Sequence, residues 1–259
     1  MSRRSLARLL ALAFLAPGLV ACNSSPTGPS STRTQPVGGE SEHYVYYFAT
    51  GDTVDATWQE AYHRWATARL GVSPARKIGY HKYRSRQDMG DHTGNYQTNG
   101  YADPTRFEIH TLWSIDNHEV VHLLMSEIGQ APALFNEGIA VALQTNPATG
   151  NFDSVFNGIE VHTAARGYLA SGTLVLPLDR ILETTGFRSI SDSTLSYREA
   201  GSFVRFLIDR YGLDRVLAFF RAGGGPNDSA AVVKTRFLAT FGVTLATAEE
   251  AWLAMLRQP

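Results

Sequence analysis

Residues 116–143 read DNHEVVHLLMSEIGQAPALFNEGIAVAL, and the fold and chemistry of the chain are read outward from them. Val121, Leu124, Met125 and Ile128 recur at helical spacing and Gly129 is a stop signal, so the first half is a helix. Residues four apart share one helical face, so the His118 and His122 imidazoles can reach a common point. An HExxH of this kind offers two nitrogen ligands to a borderline cation such as zinc. Glu119 sits one step round the helix, close enough to touch a water on the metal without being a ligand itself.

A pair of imidazoles needs a third ligand, and Glu137 supplies one, 15 residues after His122. Gly129 and Pro132 make a turn, and a second helix over 134–143 then folds back against the first. Gly138, Ala140 and Ala142 are small enough for close approach. A carboxylate among Phe135, Ile139, Val141 and Leu143 is costly to bury without a partner, and a metal ion is such a partner. The expected centre is one zinc ion held by His118, His122 and Glu137, with Glu119 as general base.

HExxH followed by a helix bearing Phe135-Asn136-Glu137-Gly138-Ile139-Ala140 resembles the gluzincin metallopeptidases, in particular the peptidase-MA-like group of exported bacterial proteins. Residues 196–212, SYREAGSFVRFLIDRYG, are similar to the helix that follows in that group, and 241–252 to its ending. The resemblance covers most of 43–257. It implies a zincin-like fold and zinc-dependent hydrolysis of a peptide or protein substrate. Glu119 is then expected to take a proton from the attacking water and pass it to the leaving amine. It also implies a second group that polarises the carbonyl, for which Tyr197 is the candidate and His162 a competitor.

One departure is Val141, where thermolysin-like enzymes carry an acidic residue four positions after the glutamate ligand. The partner for an imidazole must then come from elsewhere. Asp116 is the expected source, although Asp116-x-x-Glu119 also reads as a cap of the active helix. Two other readings stay open: a non-catalytic zinc-binding envelope lipoprotein of the same fold, and a zinc hydrolase acting on something other than peptide bonds.

The first 21 residues read as an export signal: Arg3, Arg4 and Arg8, then the apolar run 9–15, then small residues. Leu19-Val20-Ala21-Cys22 resembles the bacterial lipobox, which implies lipidation of Cys22 and a membrane anchor. Asn23 is not the Asp that commonly retains lipoproteins at the inner membrane, so an outer-membrane site facing the periplasm is expected in a two-membrane cell. Cys22 is the single cysteine, so no intramolecular disulfide can form. Residues 22–42 contain almost nothing apolar and read as a lipidated, flexible tether. Loss of the signal's three arginines leaves 20 basic against 24 acidic residues, a net charge of −4. Such a balance provides no field to hold a polyanion, so no nucleic-acid partner is expected.

The folded part is expected to span 43–257 as an α+β domain, with an α/β part over 43–113 and a helical part over 114–257. The first contains strands over 43–48 and 77–83, a helix over 55–70, a polar loop or irregular hairpin over 84–99, a short segment 100–102 and a strand over 106–113. That last strand is expected to pair with an extended substrate. No strand is expected after Trp113. Helices are expected over 134–143, 161–170, 195–211, 213–220, 230–241 and 247–256, with the active-site helix where the two parts meet.

Overall fold

The computed structural model describes residues 35–144 and 153–258. The export signal, Cys22 and residues 23–34 of the expected tether lie outside them. The first part holds β1 (Val37–Glu40), β2 (Tyr44–Tyr47), α1 (Ala56–Leu70), β3 (Ile78–Lys82), α2 (Arg86–Thr93), β4 (Gly100–Asp103) and β5 (Glu108–Thr111). The strands form one mixed sheet in the order β1-β2-β3-β5-β4; β2, β3 and β5 run parallel, and β1 and β4 flank them antiparallel.

The remainder is mostly helical: α3 (Asn117–Met125), α4 (Ala133–Leu143), α5 (Val161–Ser171), α6 (Thr184–Arg188), α7 (Ser193–Tyr211), α8 (Leu213–Arg221), α9 (Ala230–Phe241) and α10 (Leu245–Leu256). A small mixed sheet followed by helices is the α+β arrangement expected from the sequence.

Several elements differ from the sequence reading, the short α6 among them. β1 lies inside the stretch read as tether, because backbone pairing with β2 needs no apolar side chains. Gly38 fits there because a Cβ would come within 2.3 Å of the Phe48 ring. α2 occupies the expected polar loop; Ser85 caps it by accepting from the Asp88 N–H at 3.1 Å, and Met89 is its buried anchor.

After Trp113 there is a hairpin, β6 (Val155–Phe156) and β7 (Ile159–Glu160). Its two-residue turn, Asn157-Gly158, has φ values of +49° and +75°, as strand twist requires of such a turn. Lastly, the strand expected to meet substrate, now β5, is interior, and β4 is the edge beside it.

The start of α3 is fixed from three sides. Asp116 Oδ2 accepts from the Thr111 hydroxyl at the end of β5 at 2.6 Å, while Oδ1 accepts from the Glu119 N–H at 3.3 Å. Gln59 of α1 donates to the Ser114 carbonyl at 2.7 Å, and the Tyr80 hydroxyl of β3 donates to the Trp113 carbonyl at 2.9 Å. The Tyr62 hydroxyl of α1 donates to the Leu143 carbonyl at the end of α4, also at 2.9 Å.

α4 and α7 pack backbone to backbone through two glycines. A Cβ at Gly138 would lie 2.5 Å from Val204 Cγ2 and 2.7 Å from the Ala200 carbonyl oxygen; one at Gly201 would lie 2.3 Å from Val141 Cγ1. Val141, which departs from the thermolysin-like pattern, thus fills the space above Gly201. Overpacking a tight contact costs about 1–3 kcal/mol. Gly138→Ala is therefore expected to lower unfolding free energy by roughly that amount in urea denaturation, and unchanged stability would show that the helices can part freely.

Candidate metal centre

α3 and α4 run together so that three ligand atoms meet. His118 Nε2 and His122 Nε2 are 3.0 Å apart, and Glu137 Oε2 is 3.2 Å from the first and 3.1 Å from the second. The protonation pattern follows from the neighbours. Gln144, at the end of α4, donates its amide N–H to the Val155 carbonyl, which leaves its Oε1 to accept from His118 Nδ1 at 3.0 Å. His118 therefore carries a proton on Nδ1, and its ring is turned so that Nε2 faces Glu137.

Two ring nitrogens and a carboxylate oxygen thus converge on one point, the kind of donor set that a borderline cation takes. Ligands about 2.0–2.1 Å from a tetrahedral zinc lie roughly 3.3 Å from one another, close to the separations found here. The donor set and the spacing both fit zinc.

Glu137 is nearly buried, with 6% of its side chain exposed. Burial alone would raise its pKa, but the two imidazoles outweigh it and hold the carboxyl well below the usual range. Its second oxygen, Oε1, accepts from Arg188 Nη2 at the end of α6. Arg188 Nη1 also donates to the Tyr197 hydroxyl at 2.9 Å, which leaves the phenolic hydrogen free to point elsewhere. Tyr197, near the start of α7, stacks on His118 with centroids 5.7 Å apart. Burial, then the Glu137 charge, pushes its pKa up to about 12, so it stays a donor at neutral pH.

The Glu119 carboxylate turns toward β4, where it accepts from the Ala102 N–H. The return half of the expected capping box is therefore absent, and only Asp116 caps. Burial, and next the Asp116 charge, pushes Glu119 up to about 8. Gly100 lets β4 come this close, since a Cβ there would meet Asp116 Oδ2 at 2.8 Å. A cleft of about 1090 Å³ opens over the centre, lined among others by Trp113, Glu119, Asn136, Phe156, Arg188 and Tyr197.

The structure thus gathers His118, Glu119, His122, Glu137 and Tyr197 around one cleft. Asp116 lies beside them but hydrogen-bonds no imidazole, contrary to the sequence expectation. Its two oxygens are taken by Thr111 and by the helix start, and Gln144 partners His118 instead. His162 is elsewhere: its Nδ1 pairs with the Ser202 hydroxyl at 2.9 Å, in a separate small pocket with Arg205 and Asp209.

Arg188 and Gln144 were not singled out in the sequence. Arg188 ends a five-residue helix with no periodicity to mark it, and Gln144 is one polar residue after an apolar run.

No family model matches the chain, and no curated protein matches its sequence. Among solved structures, the M1 zinc metallopeptidase from Deinococcus radiodurans aligns with a TM-score of 0.48 at 16% identity, over 88% of this chain and 52% of that one. A glutamate-to-alanine mutant of the same protein aligns with a TM-score of 0.49, also at 16% identity and over the same shares. The chain therefore spans about half the length of the proteins it resembles in structure.

Partners that orient a ligating imidazole typically contribute 10–100-fold to metal affinity. Gln144→Leu is accordingly expected to weaken zinc binding by about that factor, read by competition with a chromophoric chelator. Unaltered affinity would show that Gln144 does not orient the ring.

Proposed function

We propose that this chain is a zinc-dependent peptidase in which His118, His122 and Glu137 hold one ion and Glu119 is the general base. The observation that carries the reading is the meeting of two imidazole nitrogens and one carboxylate oxygen within 3.0–3.2 Å of one another, beside a second, unligated carboxylate. When bound, zinc supplies Lewis-acid polarisation of a carbonyl and lowers the pKa of water toward neutrality. Every other step falls to the chain's own groups.

Glu119 takes a proton from the water as its oxygen adds to the peptide carbonyl carbon. It then delivers that proton to the amide nitrogen as the C–N bond breaks, releasing a carboxylate and an amine. A base whose affinity for protons lies near neutrality suits both halves of that transfer. Tyr197 donates its phenolic hydrogen to the oxygen of the former carbonyl as negative charge grows there. Arg188 positions it by donating to the phenol oxygen and also fixes the outer oxygen of Glu137, so that Oε2 faces the imidazoles.

A peptide reaches these groups by lying antiparallel along β4, the free sheet edge at the cleft, in the mode by which exposed edges take up extended segments. This replaces β5 of the sequence reading, which is covered on both sides. Trp113, 48% exposed at the rim, offers an apolar wall to a substrate side chain.

Glu119→Gln keeps the ligands and removes the base, so zinc content is expected to persist while peptide hydrolysis drops below detection in a fluorogenic peptide-library assay. Tyr197→Phe in the same assay is expected to lower kcat by about 10²–10³ with little change in KM, the effect of losing one oxyanion donor. Undiminished cleavage by the Glu119→Gln protein removes Glu119 from the chemistry.

The working location is the bacterial envelope, with the domain exported by residues 1–21 and held at a membrane by acyl chains on Cys22; the lipobox-like Leu19-Val20-Ala21-Cys22 supports this. Cys22→Ser is expected to shift the protein from the membrane fraction to the soluble fraction when cells are separated by centrifugation. Retention of that variant in the membrane pellet argues against the anchor.

A further inference from the structure

The outer face of the sheet, opposite the one that buries Tyr46, Tyr80 and Ile109, carries a row of four rings aligned by strand register. Tyr47 on β2 is the partner of His81 on β3, His81 of His110 on β5, and His110 of Tyr101 on β4. The rings stack in the same sequence, with centroids 4.3, 4.6 and 4.7 Å apart and planes tilted by 5°, 17° and 15°. Side chains alternate across a strand, so Glu108, two residues before His110, projects to this face as well. Gly79 of β3 leaves it room: a Cβ there would come within 2.9 Å of Glu108 Cγ.

The Glu108 carboxylate lies beside both imidazoles. Its Oε2 is 3.4 Å from His110 Nε2, and its Oε1 is 3.8 Å from His81 Nε2. The other ring nitrogen of His110, Nδ1, is already engaged by the Tyr83 hydroxyl at 2.9 Å. His81 Nε2 is buried and has no hydrogen-bond partner, which leaves a desolvated polar atom facing a carboxylate too distant to satisfy it.

We propose that His81, Glu108 and His110 form a second metal site, which holds a divalent transition ion on the outer face of the sheet. One ligand atom from each residue lies within 4.8 Å of those of the other two, so an ion can bridge them with a small inward movement of the side chains. Two imidazoles and one carboxylate select zinc and its first-row neighbours over calcium or magnesium, which prefer all-oxygen sets. The stacked Tyr47 and Tyr101 limit ring rotation, and the Tyr83 hydroxyl orients His110 as outer partners do in metal sites. The Glu108 side chain is 27% exposed, which gives an ion a path of entry and room for water.

Such an ion links β3 to β5 across the sheet. Thr111, the residue after His110, donates to Asp116 at the start of α3, so the clamp stiffens the strand from which the catalytic helix is hung. The site lies apart from the cleft centre and does not depend on peptidase activity.

The test uses the full mature domain with the cleft ligands removed, His118→Ala/His122→Ala, dialysed against Zn²⁺. The expected result is about one zinc per chain, with Tm rising by about 5–10 °C at a hundredfold excess of Zn²⁺ over Kd. Adding His81→Ala and Glu108→Gln is expected to abolish both the bound zinc and the shift. Should the cleft variant not fold, the wild-type protein is used instead, where two zinc ions are expected to fall to one in His81→Ala/Glu108→Gln. A cleft variant that binds no zinc, or a stoichiometry unmoved by the outer-face substitutions, overturns the proposal. A wild-type protein that holds one zinc, and loses it in His81→Ala/Glu108→Gln, counts instead against the peptidase reading.

Discussion

A carboxylate placed on an apolar helix and nearly closed off from water must be compensated, and Glu137 is the group around which the C-terminal part is arranged. Its neighbours on α4, Asn136 apart, pack into the core, and the Glu137 side chain is itself nearly buried. Compensation comes from two directions: the imidazoles of α3 face Oε2, and the guanidinium of Arg188 grips Oε1. Gln144 accepts from His118 Nδ1, which aims His118 Nε2 at the point that His122 Nε2 and Glu137 Oε2 also face. What the arrangement accommodates is a cation.

That geometry survives only if the helices approach more closely than ordinary side chains permit. Gly138 and Gly201 remove the side chains that would separate α4 from α7, and Gly100 removes the one that would hold β4 away from α3. The first contact sets the depth of Glu137; the second brings a backbone N–H to Glu119. Gly138, immediately after Glu137, is thus a packing requirement, since the backbone of α7 runs directly over it.

Two carboxylates a few ångströms from the same imidazoles end up with opposite character. Glu137 is pulled down by the histidines around it, whereas Glu119 is pushed up to about 8 by burial and by its neighbour Asp116. Environments that drive such a pair apart are what separate a ligand from a proton carrier within one site. Tyr197 completes the set as a phenol that stays protonated, with its oxygen already occupied by Arg188 so that its hydrogen is available.

The sequence by itself determined what local periodicity and short spacing control: the helical register that puts His118 and His122 on one face, the second helix bearing Glu137-Gly138, and the helices α5 and α7 to α10. The Asn157-Gly158 turn and the Ser85 cap were also legible as signals, yet β6, β7 and α2 were not read, because so little apolar pattern surrounds them. Tertiary structure alone decided which strand is the free edge, since strand order depends on pairing between residues far apart in the chain. It likewise decided that Asp116 serves the helix start while Gln144 orients the imidazole, that His162 lies in another pocket, and that Arg188 meets Glu137 across 51 residues of sequence. Those choices rest on which side chains reach a point in space first, and no spacing along the chain encodes that.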